Sequence, residues 1–196
     1  EPDGRIYDAK GGIMVRKIPG LYCELGEKVF PGSRSSVQKA IRQLFTSKYS
    51  SMPFYYILRD IFKNCTVKNA LTNILITSFD MKSMQPVFIK KRPKSSGGDM
   101  DPDYYMADSA FATAAVPTYF PPAYVGKLGN ADEDMCLIDG GIFCINPAMC
   151  ALIEARKISP NSEYVILSLG TGTQTENYDT RKIKNWGSLS WISPWL

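Results

Sequence analysis

Short apolar, β-branched runs alternate along this chain with segments of helical periodicity, and this alternation constrains the fold more than any other feature. Residues 73–79 (NILITSF), 135–138 and 164–169 (YVILSL) each predict a buried strand. Residues 37–45 and 54–62 carry apolar side chains at the spacing of an amphipathic helix. Strands that are apolar on both faces are typical of a mostly parallel sheet covered by helices on each side. We therefore expect an α/β fold with three layers and a mostly parallel central sheet.

Weaker patterns complete the secondary-structure prediction. A helix over residues 19–30 is bounded by prolines, and a second helix runs from about Asp103 to Ala115. Asn146 and Pro147 suit the start of a helix that ends near Lys157. A strand at residues 87–89 pairs with the run at 73–79, and the polar residues 93–103 form a mobile loop.

Length and composition favour one globular domain over residues 1–196. The net charge of +4 is spread along the chain, which differs from the clustered charge of a nucleic-acid-binding surface. No apolar run reaches the roughly 18 residues of a membrane span. The five cysteines are odd in number and include no CxxC pair, so we expect small buried thiols rather than a disulfide framework or a zinc site.

The chain contains no histidine. This composition excludes a Ser-His-Asp or Cys-His catalytic centre formed within these residues, and it removes the commonest zinc ligand. A general base in this chain must therefore be a carboxylate, a lysine or a tyrosine. We expect neither a metal nor a cofactor.

Asp139 is the strongest candidate for that base. It ends a predicted buried strand and is followed by Gly140 and Gly141. In open α/β sheets, ligands bind beyond the carboxyl ends of strands, and two glycines let the backbone turn sharply there. The alternative is an ordinary Asp-Gly turn without a catalytic role, since such turns are common.

Three ordered blocks distinguish between these interpretations. They are residues 110–120 (AFATAAVPTYF), 137–147 (LIDGGIFCINP) and 167–172 (LSLGTG). In this order and spacing the chain resembles the patatin-like phospholipases, a family of lipid acyl hydrolases. The resemblance extends over most of residues 19–173 and implies the patatin-like fold.

The resemblance also implies a mechanism. The family uses a Ser-Asp dyad, in which the serine of a G-x-S-x-G elbow attacks an acyl ester and an aspartate accepts its proton. The D-G-G aspartate corresponds to Asp139 in this sequence, with Gly140 and Gly141 completing the motif. No G-x-S-x-G and no glycine-rich oxyanion loop occur in residues 1–196. We therefore expect the C-terminal part of a patatin-like domain, inactive alone, with both elements supplied by a missing N-terminal segment of the same protein.

The resemblance implies that the substrate is a phospholipid or another acyl lipid and that the protein takes part in lipid degradation. It also implies binding at a peripheral membrane surface, and we expect no nucleic-acid partner. It leaves a cytoplasmic, peripheral-membrane or secreted-effector location open. A second interpretation is a non-catalytic lipid-binding or protein-interaction module that kept the fold. A third is nucleotide binding at residues 170–173 (GTGT), although this run matches no complete phosphate-binding motif. Two further groups are candidates for lipid contact, namely residues 90–92 (KKR) and the three tryptophans (Trp186, Trp191, Trp195). The alternative is a solvated strand end for the basic residues and ordinary packing for the tryptophans.

Overall fold

The computed structural model describes residues 18–30 and 46–172. The chain divides into two units, Glu1–Ser162 and Glu163–Leu196. In the described part of the first unit the regular elements are helices and strands in mixed order, separated by short 3-10 turns. They are α1 (Ile18–Val29), α2 (Ser51–Phe62), β1 (Ile74–Asp80), β2 (Gln85–Lys91), α3 (Met106–Thr113), β3 (Ala123–Lys127), β4 (Asn130–Asp139) and α4 (Ala148–Ile158).

The four strands form one sheet in the order β2-β1-β4-β3, and every strand pair in the described residues is antiparallel. The α/β class is therefore confirmed, but the mostly parallel arrangement is not found in this part of the chain. The reason lies in the connections. A four-residue turn joins β1 to β2, and two residues join β3 to β4, whereas a parallel pair needs a crossover of a dozen residues or more.

The antiparallel sheet also explains the apolar runs that suggested parallel strands. In β1, Ile74 and Ile76 pack against the core, while Thr77 points to the opposite face and is only 7% exposed. A strand buried on both faces has an apolar sequence whichever way its neighbours run. Strand direction therefore cannot be taken from such a run alone.

The helices agree with their sequence patterns where the structure describes them. Helix α2 begins after Ser50, whose hydroxyl accepts a hydrogen bond from the Met52 N–H, as expected of an N-cap residue. Before α4, the Asn146 side chain accepts from the Ala148 N–H at 3.0 Å. Asp103 does not cap α3, because its carboxylate accepts from two backbone N–H groups outside that helix. The predicted helix at residues 37–45 lies outside the described residues, and β3 was not predicted.

The hydrophobic core lies between helices α2 and α3 and one face of the sheet. The small residues of α3 let it approach the strands closely, since Ala107 and Ala112 have no exposed surface. The buried core residues are Leu58, Val67, Ile89, Tyr104, Ala107, Phe111, Ala112, Ala123, Val125 and Leu137. Packing against α3 therefore helps to hold β4 in its place in the sheet.

The polar segment 93–103 is folded rather than open. Arg92 binds Asp101 through two hydrogen bonds, at 2.7 and 2.6 Å, with side chains only 22% and 10% exposed. Between them the chain forms the 3-10 turns Lys94–Ser96 and Gly98–Met100. A bidentate arginine–carboxylate pair fixes both ends of a segment. The segment is therefore folded into turns, while its mobility stays a prediction.

The described part of the second unit is residues 163–172, which contain no helix or strand. The strand predicted at residues 164–169 is not formed there. The side chains of Val165 and Leu169 are 101% and 84% exposed. An apolar run becomes a strand only when a neighbouring strand pairs with it, and pattern alone does not supply that neighbour.

Candidate active site

Asp139 is the last residue of β4, as the sequence predicts, and the Gly140–Ile142 turn follows it directly. Its backbone is held on two sides. In the sheet it lies opposite Ser78 of β1, and its N–H donates to the Ala115 carbonyl oxygen, just after α3, at 3.0 Å. These contacts with β1 and with the residue after α3 fix the end of the strand, and they limit where the carboxylate can lie.

The two oxygens of the Asp139 carboxylate have different surroundings. Oδ1 accepts a hydrogen bond from the Gly141 N–H at 2.5 Å. Oδ2 makes no hydrogen bond to any residue that the structure describes. The side chain is half-buried. One oxygen is thus anchored by its own turn, and the other makes no such bond within the described residues.

Each glycine of the motif lies close to other atoms, and neither has a positive φ. A Cβ on Gly140 would lie 2.5 Å from Thr77 Oγ1 and 2.6 Å from the Thr77 carbonyl carbon. A Cβ on Gly141 would lie 2.8 Å from Asp139 Oδ1. The first glycine lets the turn pack against β1, and the second leaves room for the carboxylate.

Two hydroxyl groups brace the strands behind this turn. Thr113, the last residue of α3, donates from Oγ1 to the Thr77 carbonyl oxygen at 2.7 Å. Ser78 Oγ is fully buried and donates to the Ile138 carbonyl oxygen at 2.6 Å. Sequence reasoning did not assign these residues, although Thr113 stands in the block that carried the family resemblance. They hold the strand ends in place and do not touch the carboxylate in the described contacts.

Another aspartate, Asp80, is buried at the end of the neighbouring strand β1 and has a different role. Its carboxylate accepts hydrogen bonds from the backbone N–H groups of Lys82, Ser83 and Cys136 and from the Ser83 hydroxyl. Burial raises the pKa of Asp80, but these hydrogen bonds outweigh it and hold the pKa below its ordinary value. This carboxylate is saturated and closes the β1–β2 turn, so it is a structural group.

The basic residues at the end of β2 have partners within the chain. Lys90 pairs with Glu154 of α4 at 3.3 Å, Lys91 donates to the Ala70 carbonyl oxygen, and Arg92 binds Asp101. This arrangement favours the structural alternative over a lipid-headgroup site. No helix in the described ranges has the length and apolar character needed to cross a membrane.

The remaining candidate residues lie in the second unit, in part outside the described residues. Gly170 and Gly172 belong to the second unit, and Gly172 has a φ of 91°. Such a conformation is typical of a turn. Nucleotide binding at this run stays an untested alternative. The three tryptophans lie beyond residue 172, outside the described residues.

Fold and site together define an α/β protein with an aspartate at the end of a strand, followed directly by two glycines.

No family model matches the chain. Among curated proteins it is 30% identical to "Probable inactive patatin-3-Kuras 1" of Solanum tuberosum over 92% of its own length and 50% of that protein. It is 31% identical to "Patatin-2-Kuras 3" of the same plant, over 91% of the chain and 48% of the relative. It is 29% identical to "Patatin-like protein 2" of Arabidopsis thaliana, over 92% and 49%.

These alignments cover nearly the whole chain with patatins and patatin-like proteins. The chain belongs to the patatin-like family. It spans about half the length of the curated relatives it matches.

Proposed function

We propose that this chain supplies the general base of a lipid acyl hydrolase, with Asp139 as that base. The observation that carries the proposal is the asymmetry of the Asp139 carboxylate. Oδ1 is anchored by the Gly141 N–H, whereas Oδ2 has no partner among the described residues. A base needs a fixed direction and a free lone pair, and this carboxylate has both. Membership of the patatin-like family supports hydrolysis of acyl esters as the reaction class.

In the proposed reaction, a serine outside this sequence donates its hydroxyl proton to Oδ2 of Asp139. The serine oxygen then attacks the ester carbonyl carbon, and the resulting tetrahedral oxyanion collapses to an acyl-enzyme. The proton on Asp139 passes to the departing alcohol oxygen. Water then gives a proton to Asp139 and attacks the acyl-enzyme carbonyl carbon. The fatty acid leaves as Asp139 returns that proton to the serine oxygen.

The contact to Gly141 gives the site its direction in this scheme. Because Oδ1 is held by a backbone N–H of the adjacent turn, rotation of the carboxylate about its terminal bond is restricted. Restricting that rotation places Oδ2 before the serine arrives, so less ordering remains for the transition state. The backbone of Asp139 is itself held by Ala115 and by its pairing with Ser78.

A second candidate function is a lipid-binding or interaction module without catalysis. The name "Probable inactive patatin-3-Kuras 1" favours it, because it shows that a relative of this chain is regarded as inactive. The two candidates differ in the protein's coding sequence outside these residues. A G-x-S-x-G elbow there supports the enzyme, and a full-length sequence without one supports the module.

The decisive experiment compares ester hydrolysis by the full-length protein and its Asp139→Asn variant, with phospholipid vesicles and a soluble acyl ester as substrates. We expect kcat/KM to fall by about 10²–10⁴-fold, the usual contribution of a general base. The matched control is Asp134→Asn, an exposed aspartate on the same strand. It changes the charge equally and should leave kcat/KM unaltered.

Circular dichroism and thermal unfolding of both variants separate loss of the base from loss of the fold. If Asp139→Asn is folded and retains near-wild-type hydrolysis, Asp139 is not the base. If the wild-type protein binds vesicles but hydrolyses neither substrate, the module interpretation replaces the enzyme.

A further inference from the structure

Two cysteines lie next to one another just beyond the Asp139 turn. The sulfur atoms of Cys144 and Cys150 are 3.6 Å apart, and both residues are half-buried. In contrast, Cys23 and Cys65 are exposed, so the expectation of small buried thiols is not met at these two positions. In the described residues, no other pair of cysteines has its sulfur atoms in contact.

The local backbone holds both members of this pair. Cys144 lies within the turn that starts at Asp139, since its N–H donates to the Gly140 carbonyl oxygen at 2.9 Å. Cys150 lies in the first turn of α4. The start of α4 is fixed by the Asn146 side chain, which accepts from the Ala148 N–H at 3.0 Å. The two thiols are therefore held close together by ordered backbone, in the turn after Asp139 and in the first turn of α4.

The pair is close to the geometry of a disulfide. A sulfur–sulfur bond is about 2.05 Å long, so the two atoms must approach by about 1.5 Å from their separation of 3.6 Å. Rotation of the two side chains supplies movements of this size. Only five residues, 145–149, separate the cysteines, so the bond closes a small loop.

We propose that Cys144 and Cys150 are a redox-active pair that forms a reversible intramolecular disulfide, with glutathione disulfide as the class of oxidant. The bond ties the turn after Asp139 covalently to the first turn of α4. Neither the family resemblance nor the count of five cysteines indicates this site. Its formation does not depend on the proposed hydrolase function.

The two thiols have different parts in the exchange. Burial, followed by the neighbouring Cys150 thiol, raises the pKa of the Cys144 thiol above its ordinary value. In the proposed exchange Cys150, in the first turn of α4, loses its proton and reacts first. It attacks one sulfur of glutathione disulfide and releases one glutathione thiolate. Cys144, on losing its proton, then attacks the Cys150 sulfur and releases the second glutathione. Two cysteines are oxidised, and one glutathione disulfide is reduced to two glutathiones.

The test uses the reduced full-length protein, equilibrated with mixtures of glutathione and glutathione disulfide. Cyanogen bromide cleaves the chain after Met149, which lies between the two cysteines, and after Met135. We expect residues 136–149 to stay joined to the fragment that begins at Cys150, with the loss of two free thiols and full reversal by excess glutathione. Mass spectrometry of the fragments measures the link directly.

The matched control is Cys136→Ser, because Cys136 is also half-buried and shares the 136–149 fragment. It should leave the link intact, whereas Cys144→Ser and Cys150→Ser should each abolish it. Alanine variants at both positions guard against a folding defect specific to serine, and circular dichroism confirms that each is folded. Fragments that separate at every glutathione ratio, or that carry glutathione on each cysteine instead of a link, would overturn the proposal.

If Asp139 is the base of the proposed function, the same samples should also show a redox dependence of ester hydrolysis that Cys150→Ala removes. This part rests on the proposed function. A link without any hydrolysis would refute the function and leave the disulfide, whereas hydrolysis without a link would do the reverse.

Discussion

Replacing Gly140 by alanine tests whether the site geometry depends on the close packing of its turn against β1. The added Cβ would lie 2.5 Å from Thr77 Oγ1 and 2.6 Å from both the carbonyl carbon and the carbonyl oxygen of Thr77. Nonbonded carbon atoms pack best at about 3.5–4.0 Å, so the turn and the strand must separate by about 1 Å. The clash involves backbone atoms, which cannot rotate away as a side chain can.

The magnitude follows from this geometry. Overpacking in a well-packed region costs about 1–3 kcal/mol. Thr77 is 7% exposed, and its carbonyl oxygen also accepts from Thr113, so relaxation of β1 would strain a second contact. We therefore expect a loss near the upper end of that range. For a chain of this size, about 3 kcal/mol corresponds to a fall in Tm of about 6–12 °C.

Two other glycines serve as comparisons in the same thermal unfolding assay. In Gly141→Ala the new Cβ meets only the movable Asp139 carboxylate, at 2.8 Å from Oδ1. Its Tm should fall little, while ester hydrolysis should fall at least about 10-fold because Oδ2 is displaced from its direction. In Gly26→Ala, within α1, nothing lies within 4 Å of the new Cβ. This variant should be stabilised by about 0.5–1 kcal/mol.

A Gly140→Ala protein with the Tm of the wild type would refute the reasoning. That result would mean that the turn does not contact β1 as closely as described, and the argument for a fixed Asp139 would lose its support. Equal losses of Tm in the Gly140 and Gly141 variants would also contradict it, because the two glycines would then have the same role.

Two further predictions concern buried carboxylates outside the site. Asp80→Asn should lower the free energy of unfolding at neutral pH by about 1.5–3 kcal/mol, since hydrogen bonds to a charged acceptor are lost. The pKa of Asp80 is depressed in the folded state, so its contribution is present above the ordinary value of 3.8 and is lost as pH falls through the folded-state pKa. Urea unfolding at pH 7 and in acid should show the variant and the wild type converging in acid, and a constant difference would contradict this. Arg92→Met leaves Asp101, which is 10% exposed, without its cation. Trypsin should then cleave residues 93–103 faster than in the wild type, and unchanged cleavage would show that the ion pair does not hold this segment.

Much of the secondary structure was predictable because it is encoded locally. The helical spacing in α2 and the β-branched run of β1 are properties of neighbouring residues, and the structure contains both elements. Strand β3 was missed because residues 121–127 (PPAYVGK) begin with two prolines and include a glycine, which resembles a loop. The pairing of β1 with β2 was predicted, but a mostly parallel sheet is not confirmed in the described residues, because strand direction depends on the partner strands and their connections.

The position of the candidate site was predictable to the same local extent, while its role stays a prediction. The residues Asp139, Gly140 and Gly141 form a contiguous motif at a strand end, and the structure places them there. Sequence reasoning could not assign the distinct reasons for the two glycines, because one of them depends on Thr77, far away in the chain. It also could not bring Cys144 and Cys150 into contact, since their separation depends on the turn and on the start of α4.

The pairing of β1 with β4 has a consequence for how the protein folds. Each of the two hairpins joins residues close in sequence and can form early, whereas the Ser78–Ile138 hydrogen bond connects residues 60 positions apart. Contacts of such long range pay the entropy of closing the intervening chain and set the pace of folding. The backbone of Asp139 gains its contacts with Ser78 and Ala115 only when the hairpins dock, so this strand end is among the last described parts of the first unit to become ordered.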